Sequence, residues 1–220
     1  MNRNSCNTVL PTQVRKIRPT RNSVSGIYAF RGKVSIPYES TLERDFLIHQ
    51  EFNRHVTHVI PQPVRLEYRA FNGHTYPYTP DFLVAFDNAS PLLVEVKRRA
   101  ELREIWPKAR FKFKAALRHA RASGWRFRIQ DERAIRNQAL ANILLLHRYQ
   151  RTAVAPEERQ RVLSLLAHSG GMAAGELLVG LGANAPTGLP NLWHLVAART
   201  LDCDMACPLS PNTKVWVPHD

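Results

Sequence analysis

One stretch, YTPDFLVAFDNASPLLVEVKRR (residues 78–99), limits what this chain can fold into more than any other. Two runs rich in Val, Leu and Phe flank a polar DNAS turn, the pattern of two neighbouring strands. Yet Asp81 opens the first run, and Glu95 and Lys97 close the second. Residues two apart on a strand share a face, so Glu95 and Lys97 point one way while Val94 and Val96 point the other. Pairing of the two strands would set Asp81, directly after Pro80, beside Glu95. Two converging carboxylates offer hard oxygen ligands to a divalent cation. Lys97 close by could orient an attacking water or stabilise charge on a phosphate, which describes metal-assisted phosphodiester hydrolysis. The competing reading is an amphipathic sheet with a solvated polar face and a Glu95–Lys97 surface pair. These three residues alone leave both readings open.

The surrounding pattern places the stretch in an α/β domain. Residues 1–23 are polar, basic and unpatterned, the profile of an N-terminal arm. A helix of about 14 residues is expected from near Ser40, with Leu42, Phe46, Leu47 and Phe52 as its apolar stripe. HVTHVIPQPVRLEYRAF reads as strand, break and strand, because Pro61 and Pro63 cannot join a central ladder. FNGH marks a turn, and strands are expected over 76–86 and 92–97. A basic amphipathic helix comes next, with Pro107 near its start. A short strand in GWRFRIQ and a helix over 131–148, opened by Asp131, complete a domain expected over 24–150. Strands interleaved with helices predict one mixed sheet. From RTAVAPEERQ onward, helical patterns over 157–168, 172–180 and 188–199 precede strand-like stretches around 201–206 and 214–217. Three helices and a small hairpin predict a winged-helix-like domain over 151–220.

Charge divides the chain at the same place. Residues 1–150 hold 26 Lys and Arg against 12 Asp and Glu, a balance of +14, and residues 151–220 hold 5 against 6, a balance of −1. Excess cationic charge raises affinity for phosphate backbones, so double-stranded DNA is expected to meet the first 150 residues. Within 97–128, twelve basic residues face two acidic ones, and Arg98, Arg99, Lys108, Arg110, Lys112 and Lys114 are the candidate DNA contacts. The interleaved Trp106, Phe111, Phe113, Trp125 and Phe127 read as a core stripe in preference to a base-stacking platform. The near-neutral C-terminal segment favours protein docking over DNA reading. No apolar run approaches the ~20 residues a membrane span needs, and the polar N-terminus lacks a signal-peptide core. A cytoplasmic protein, nucleoid-associated when bound to DNA, is expected. Cys6, Cys203 and Cys207 do not make a disulfide framework, and the Cys203/Cys207 pair has no second ligand pair at zinc-like spacing. The nine histidines make no HxH, HExxH or HNH-like group, which sets histidine-based nuclease chemistry aside.

Two further stretches bear on the acid pair. In YESTLERDFL, Glu39 and Glu43 are four apart and share a helical face, where they could bring a third acid to the site. The same residues match a capping box, with Ser40 as N-cap and Glu43 three positions on, which would explain them without catalysis. Gln62, between two prolines, could touch DNA, position water or cap the strand break.

TPDF followed by EVK, with thirteen residues between Asp81 and Glu95, resembles the PD-(D/E)xK nuclease signature. The ordered set YESTLERDFL, PQPVRLEY, YTPDFLV, VEVK and GWRFRIQDERAI resembles the TnsA-type endonucleases of heteromeric transposases over roughly residues 20–150. The resemblance implies a restriction-endonuclease-like mixed sheet flanked by helices. It implies a Mg²⁺-dependent DNA endonuclease, with Mn²⁺ as substitute, that cuts the 5′ ends of a transposon. A separate DDE-type transposase subunit would cut and join the 3′ ends, an AAA+ ATPase would regulate, and the C-terminal region would engage partners. Matched motif by motif, the helix glutamate falls on Glu43, the PD aspartate on Asp81, and the E/Q-x-K pair on Glu95 and Lys97. Asp81, Glu95 and the Val96 carbonyl would be metal ligands, Glu43 would complete or flank them, and Lys97 would serve the water. Glu39 and Gln62 are auxiliary candidates. Some relatives carry glutamine where this chain has Glu95, so glutamate restores the general pattern. A stand-alone restriction or repair nuclease would use the same chemistry without a transposase. A non-catalytic DNA-binding or docking protein is a third reading, against which the intact acid set argues.

Overall fold

The computed structural model describes residues 10–15 and 24–218. Most of the expected arm at 1–23 therefore lies outside the described residues. The chain divides into two compact units, Met1–Ile135 and Arg136–Asp220. The first runs β1 (Gly26–Phe30), β2 (Val34–Tyr38), α1 (Thr41–Phe52), β3 (Val56–Pro61), β4 (Leu66–Arg69), β5 (Thr75–Tyr78), β6 (Phe82–Phe86), β7 (Leu92–Val96), α2 (Arg99–Ala122), β8 (Arg126–Gln130) and a short α3 (Glu132–Ile135).

The core of this unit is a four-stranded sheet in the order β3-β6-β7-β8. β3 and β7 each run antiparallel to β6, and β8 runs parallel to β7. A parallel neighbour needs a long crossover, which α2 supplies. Apart from Glu95, β6 and β7 are apolar throughout because both faces of the sheet are covered. Phe82, Val84, Val94 and Val96 pack with Phe46 and Leu47 of α1. Leu83 and Leu93 pack with Ala109, Phe113 and Ala116 of α2. Each such fully buried Leu, Val or Phe contributes about 1.5–3 kcal/mol. The expected mixed sheet flanked by helices is thus what the chain forms. The solvated polar face is not: Glu95 is only 3% exposed.

Local chemistry moves several boundaries. The strand expected over 76–86 is two strands, because Pro80 has no N–H and β5 pairs with β4 while β6 joins the main sheet. Gly73, at φ 79°, closes the β4–β5 turn in a conformation that costs glycine little. Pro61 ends β3, which is an edge strand. The β1–β2 hairpin, unannounced by its weak alternation, adds Phe30 and Ile36 to the α1 side of the core. Pro107 lies inside α2, not near its start. The helix begins earlier, at Arg99, whose N–H donates to Glu132 Oε2 at 2.8 Å, a cap from a distant residue that the Arg98 side chain does not supply.

The helix expected over 131–148 is also divided. Asn137 accepts the Leu140 N–H at 3.2 Å and N-caps α4 (Gln138–Leu146). The unit boundary falls at this break instead of at 150, because α4 belongs to the second core. Leu140, Ile143 and Leu146 are buried, and Asn142 Nδ2 donates to the carbonyls of Met205 and Cys207 at 3.3 and 2.8 Å. The unit continues with α5 (Pro156–Ser169), β9 (Met172–Ala173), α6 (Ala174–Gly180), α7 (Ala185–Ala197), β10 (Asp202–Cys203) and β11 (Lys214–Trp216). Its antiparallel sheet has the order β10-β11-β9, so the expected hairpin carries a third short strand. Among the described residues no helix is long and apolar enough to cross a membrane.

Candidate active site

Register brings the acids together. Phe82 pairs with Val94 across β6 and β7, and one step outward the Asp81 N–H donates to the Val94 carbonyl at 3.1 Å. The Asp81 side chain accepts the Val96 N–H through Oδ2 at 2.7 Å. Asp81 and Glu95 therefore meet at one end of the two strands, one step beyond the Phe82–Val94 pair. Burial of the Asp81 carboxyl, then the charges of Glu95 and Glu43, push its pKa well above the ordinary carboxylate value, against the pull of the Val96 N–H and Lys97. An acid in this state gains from any added positive charge.

Lys97, one residue past β7, forms an ion pair with Glu101 Oε1 at 3.1 Å. Burial opposes its charge, but Glu101, Glu95 and Asp81 together outweigh burial and raise its pKa. Its ammonium stays protonated at neutral pH, so as it stands Lys97 is a cation and a donor, not a proton acceptor.

Glu95 has two partners absent from the expected site. Tyr78, the last residue of β5, donates its hydroxyl to Oε2 at 2.7 Å, and Lys112 of α2 donates to Oε1 at 2.8 Å. The Lys112 ammonium also lies 4.6 Å from the Tyr78 ring centroid and 4.9 Å from that of Phe113. Its side chain is 20% exposed, which corrects the expectation of a DNA-facing Lys112: two aromatic faces and a buried carboxylate draw it inward. The phenol in turn is held neutral, its pKa raised by burial and by Glu95. Arg98, Lys108, Arg110 and Lys114 are exposed. Arg99 is half-buried, its guanidinium 3.7 Å from Asp131. Phe113 is core, as the apolar stripe suggests, whereas Trp106 remains 47% exposed.

Glu43 is 8% exposed and capped into its helix. Its N–H donates to Ser40 Oγ at 3.1 Å, its Oε1 accepts the Ser40 hydroxyl at 3.0 Å, and its Oε2 accepts the Glu39 N–H at 2.7 Å. The Ser40 cap is present, with the Glu43 carboxylate reaching back to the Glu39 N–H in place of the Ser40 N–H of a strict capping box, yet burial still raises the Glu43 pKa despite these bonds, and the charges of Glu39 and Lys97 reach it. Glu43 thus flanks Asp81 electrostatically while serving the helix. Glu39 pairs with Arg15 at 3.1 Å and accepts from Gln62 Nε2 at 3.5 Å.

The donor set fits a small hard cation. All donors are oxygens, and Asp81 carries uncompensated acidity. Glu95, though bonded twice, keeps lone pairs, since a carboxylate offers about four acceptor positions. Among the described residues no group of three or more His, Cys, Asp or Glu side chains could hold an ion. Mg²⁺ does not require one, because it keeps several waters and is held through one or two carboxylates plus substrate phosphate.

Residues 53–132 match the family model described as TnsA-like endonuclease N terminal. The matched stretch contains Asp81, Glu95 and Lys97, together with Gln62, Tyr78 and Lys112, and leaves out Glu39, Glu43 and the second unit. No curated protein matches the chain. This segment, whose strands bring Asp81 and Glu95 into register, is thus similar to the N-terminal endonuclease domain of the TnsA-like family.

Proposed function

We propose that the chain is the Mg²⁺-dependent endonuclease subunit of a transposase, hydrolysing a phosphodiester at the 5′ ends of a transposon. The observation that carries this reading is the pairing of Asp81 and Glu95 at one end of β6 and β7, with the Lys97 charge coupled to both, inside the stretch that matches the nuclease family. A divalent cation held by Asp81, Glu95 and the Val96 carbonyl would supply Lewis acidity toward the phosphate and toward water. Lys97, protonated, holds the incoming phosphate oxygens or the attacking water and neutralises charge as it develops. Tyr78 and Lys112 fix the Glu95 carboxylate, so its reach does not depend on a flexible side chain. Water oxygen attacks phosphorus and gives up a proton to solvent, the bond from phosphorus to the leaving sugar oxygen breaks, and that oxygen takes up a proton from solvent. Exposed Arg98, Lys108, Arg110 and Lys114 supply phosphate contacts. The second unit, read as winged-helix-like, docks a DDE-type transposase subunit and an AAA+ ATPase regulator, in keeping with its lower charge.

The test is cleavage of transposon-end DNA, with partner proteins present, by wild type and Asp81→Ala. Mg²⁺ or Mn²⁺ should support cutting, and Ca²⁺ should bind without turnover. The variant should lose cleavage and keep its DNA affinity. Equal nicking by both proteins would overturn the assignment, and full activity without partners would favour a stand-alone nuclease.

A further inference from the structure

Gln62 is built in a way the fold alone does not explain. It follows β3 between Pro61 and Pro63 and takes φ 46°, a left-handed conformation that strains any residue with a side chain. It is 4% exposed. Its N–H donates to the Asp81 carbonyl at 2.7 Å, and its carbonyl accepts the Val14 N–H at 3.0 Å. The side-chain Nε2 donates to Glu39 at 3.5 Å, while Oε1 is buried with no hydrogen-bond partner among the described residues. Turning the amide over is no remedy, because Oε1 would then face the Glu39 carboxylate. An unmet buried acceptor destabilises the fold, and left-handed strain adds to that cost. Glycine would relieve the strain and methionine the acceptor. The place of this residue is fixed by register: Pro61 pairs with Phe82, so Gln62 comes beside Asp81 at the end of the sheet where Glu95 lies.

We propose that Gln62 is a positioning residue whose Oε1 accepts a hydrogen bond from a water held at the Asp81–Glu95 end of the sheet, orienting that water for attack on the phosphodiester. The proposal rests on the nuclease reading above. Glu39, itself paired with Arg15, holds the amide nitrogen and so aims the oxygen.

Two full-length variants test it. Gln62→Met keeps length and removes the acceptor, and Gln62→Gly removes the side chain and relieves the strain. Both should melt at or above the wild-type temperature in the absence of DNA and metal, and both should bind DNA in Ca²⁺ as wild type does. Their single-turnover cleavage rate in Mg²⁺ should nevertheless fall about 10–100-fold, the usual cost of losing an outer-shell partner. Wild-type cleavage that is lost in Asp81→Ala is the control for the nuclease reading. With that control in place, wild-type rates in Gln62→Met, or losses that merely follow a lowered melting temperature, overturn the role of Gln62 alone. If the control fails, both readings fall together.

Discussion

Asp81 is held in a state that folding does not favour. Its folded pKa is raised by burial and by Glu95 and Glu43, so its ionised form destabilises the metal-free protein at neutral pH. For an acid with a raised folded pKa, that penalty fades as pH falls through the folded value and is gone where the group is protonated in both states. Asp81→Asn keeps an acceptor for the Val96 N–H and removes the charge. In chelator at neutral pH it should melt above wild type, with the gap narrowing on acidification, while cleavage is abolished. Thermal scans at several pH values check this, and a lower melting temperature for the variant would contradict it. Lys112 should behave oppositely to its exposed neighbours. Lys112→Met strands the buried Glu95 and should cost about 3–5 kcal/mol, the usual penalty for breaking a buried pair. Lys108→Ala and Arg110→Ala should weaken DNA binding and leave the melting temperature in place.

At the scale of elements, two helices carry testable chemistry, α1 at its start and α2 in its interior. In α1, glutamine can replace Glu43 as an acceptor in the cap, so Glu43→Gln should barely move the melting temperature. A loss of turnover by orders of magnitude in the same variant would give Glu43 a catalytic function beside its cap, and full activity would leave it structural. Ser40→Ala removes both the acceptor for the Glu43 N–H and the donor to its carboxylate and should cost about 1 kcal/mol in stability. In α2, an exposed Pro107 interrupts the backbone ladder of a long helix. Alanine is favoured over proline in a helix interior by about 3 kcal/mol, so Pro107→Ala should raise the melting temperature unless the break is needed to seat Lys112 against Glu95. A combined loss of stability and cleavage would reveal that need.

For the whole molecule, charge and core point to one division. Residues 1–135 hold 24 basic against 12 acidic side chains, a balance of +12, and residues 136–220 hold 7 against 6, a balance of +1. A chain ending at Arg136 keeps Ile135 in its core and should bind duplex DNA with nearly the full-length salt slope, roughly −0.9 per phosphate neutralised. It should fail to pull down a transposase or ATPase partner. A collapsed slope with partner binding intact would reverse the roles of the two units. A chain ending near Tyr149 would instead carry α4 without its own core, exposing Leu140, Ile143 and Leu146, and should aggregate.

The main sheet and the acid pair were legible along the chain because both depend on period and register. The two-residue period of a strand and the pairing of FLVAF with LLVEV across a short turn decide which residues are neighbours across β6 and β7, and that pairing puts Asp81 beside Glu95. The Ser40–Glu43 cap is local for the same reason. What surrounds the pair is not local. Lys112 meets Glu95 through the angle at which α2 crosses the sheet, Tyr78 through the place where Pro80 ends one ladder and begins another, and Arg99 is capped by Glu132 across the unit. The unmet oxygen and left-handed backbone of Gln62 come into view only with Glu39 and Asp81 in place around it. Such pairings turn on packing between elements distant along the chain, for which a linear pattern carries no register.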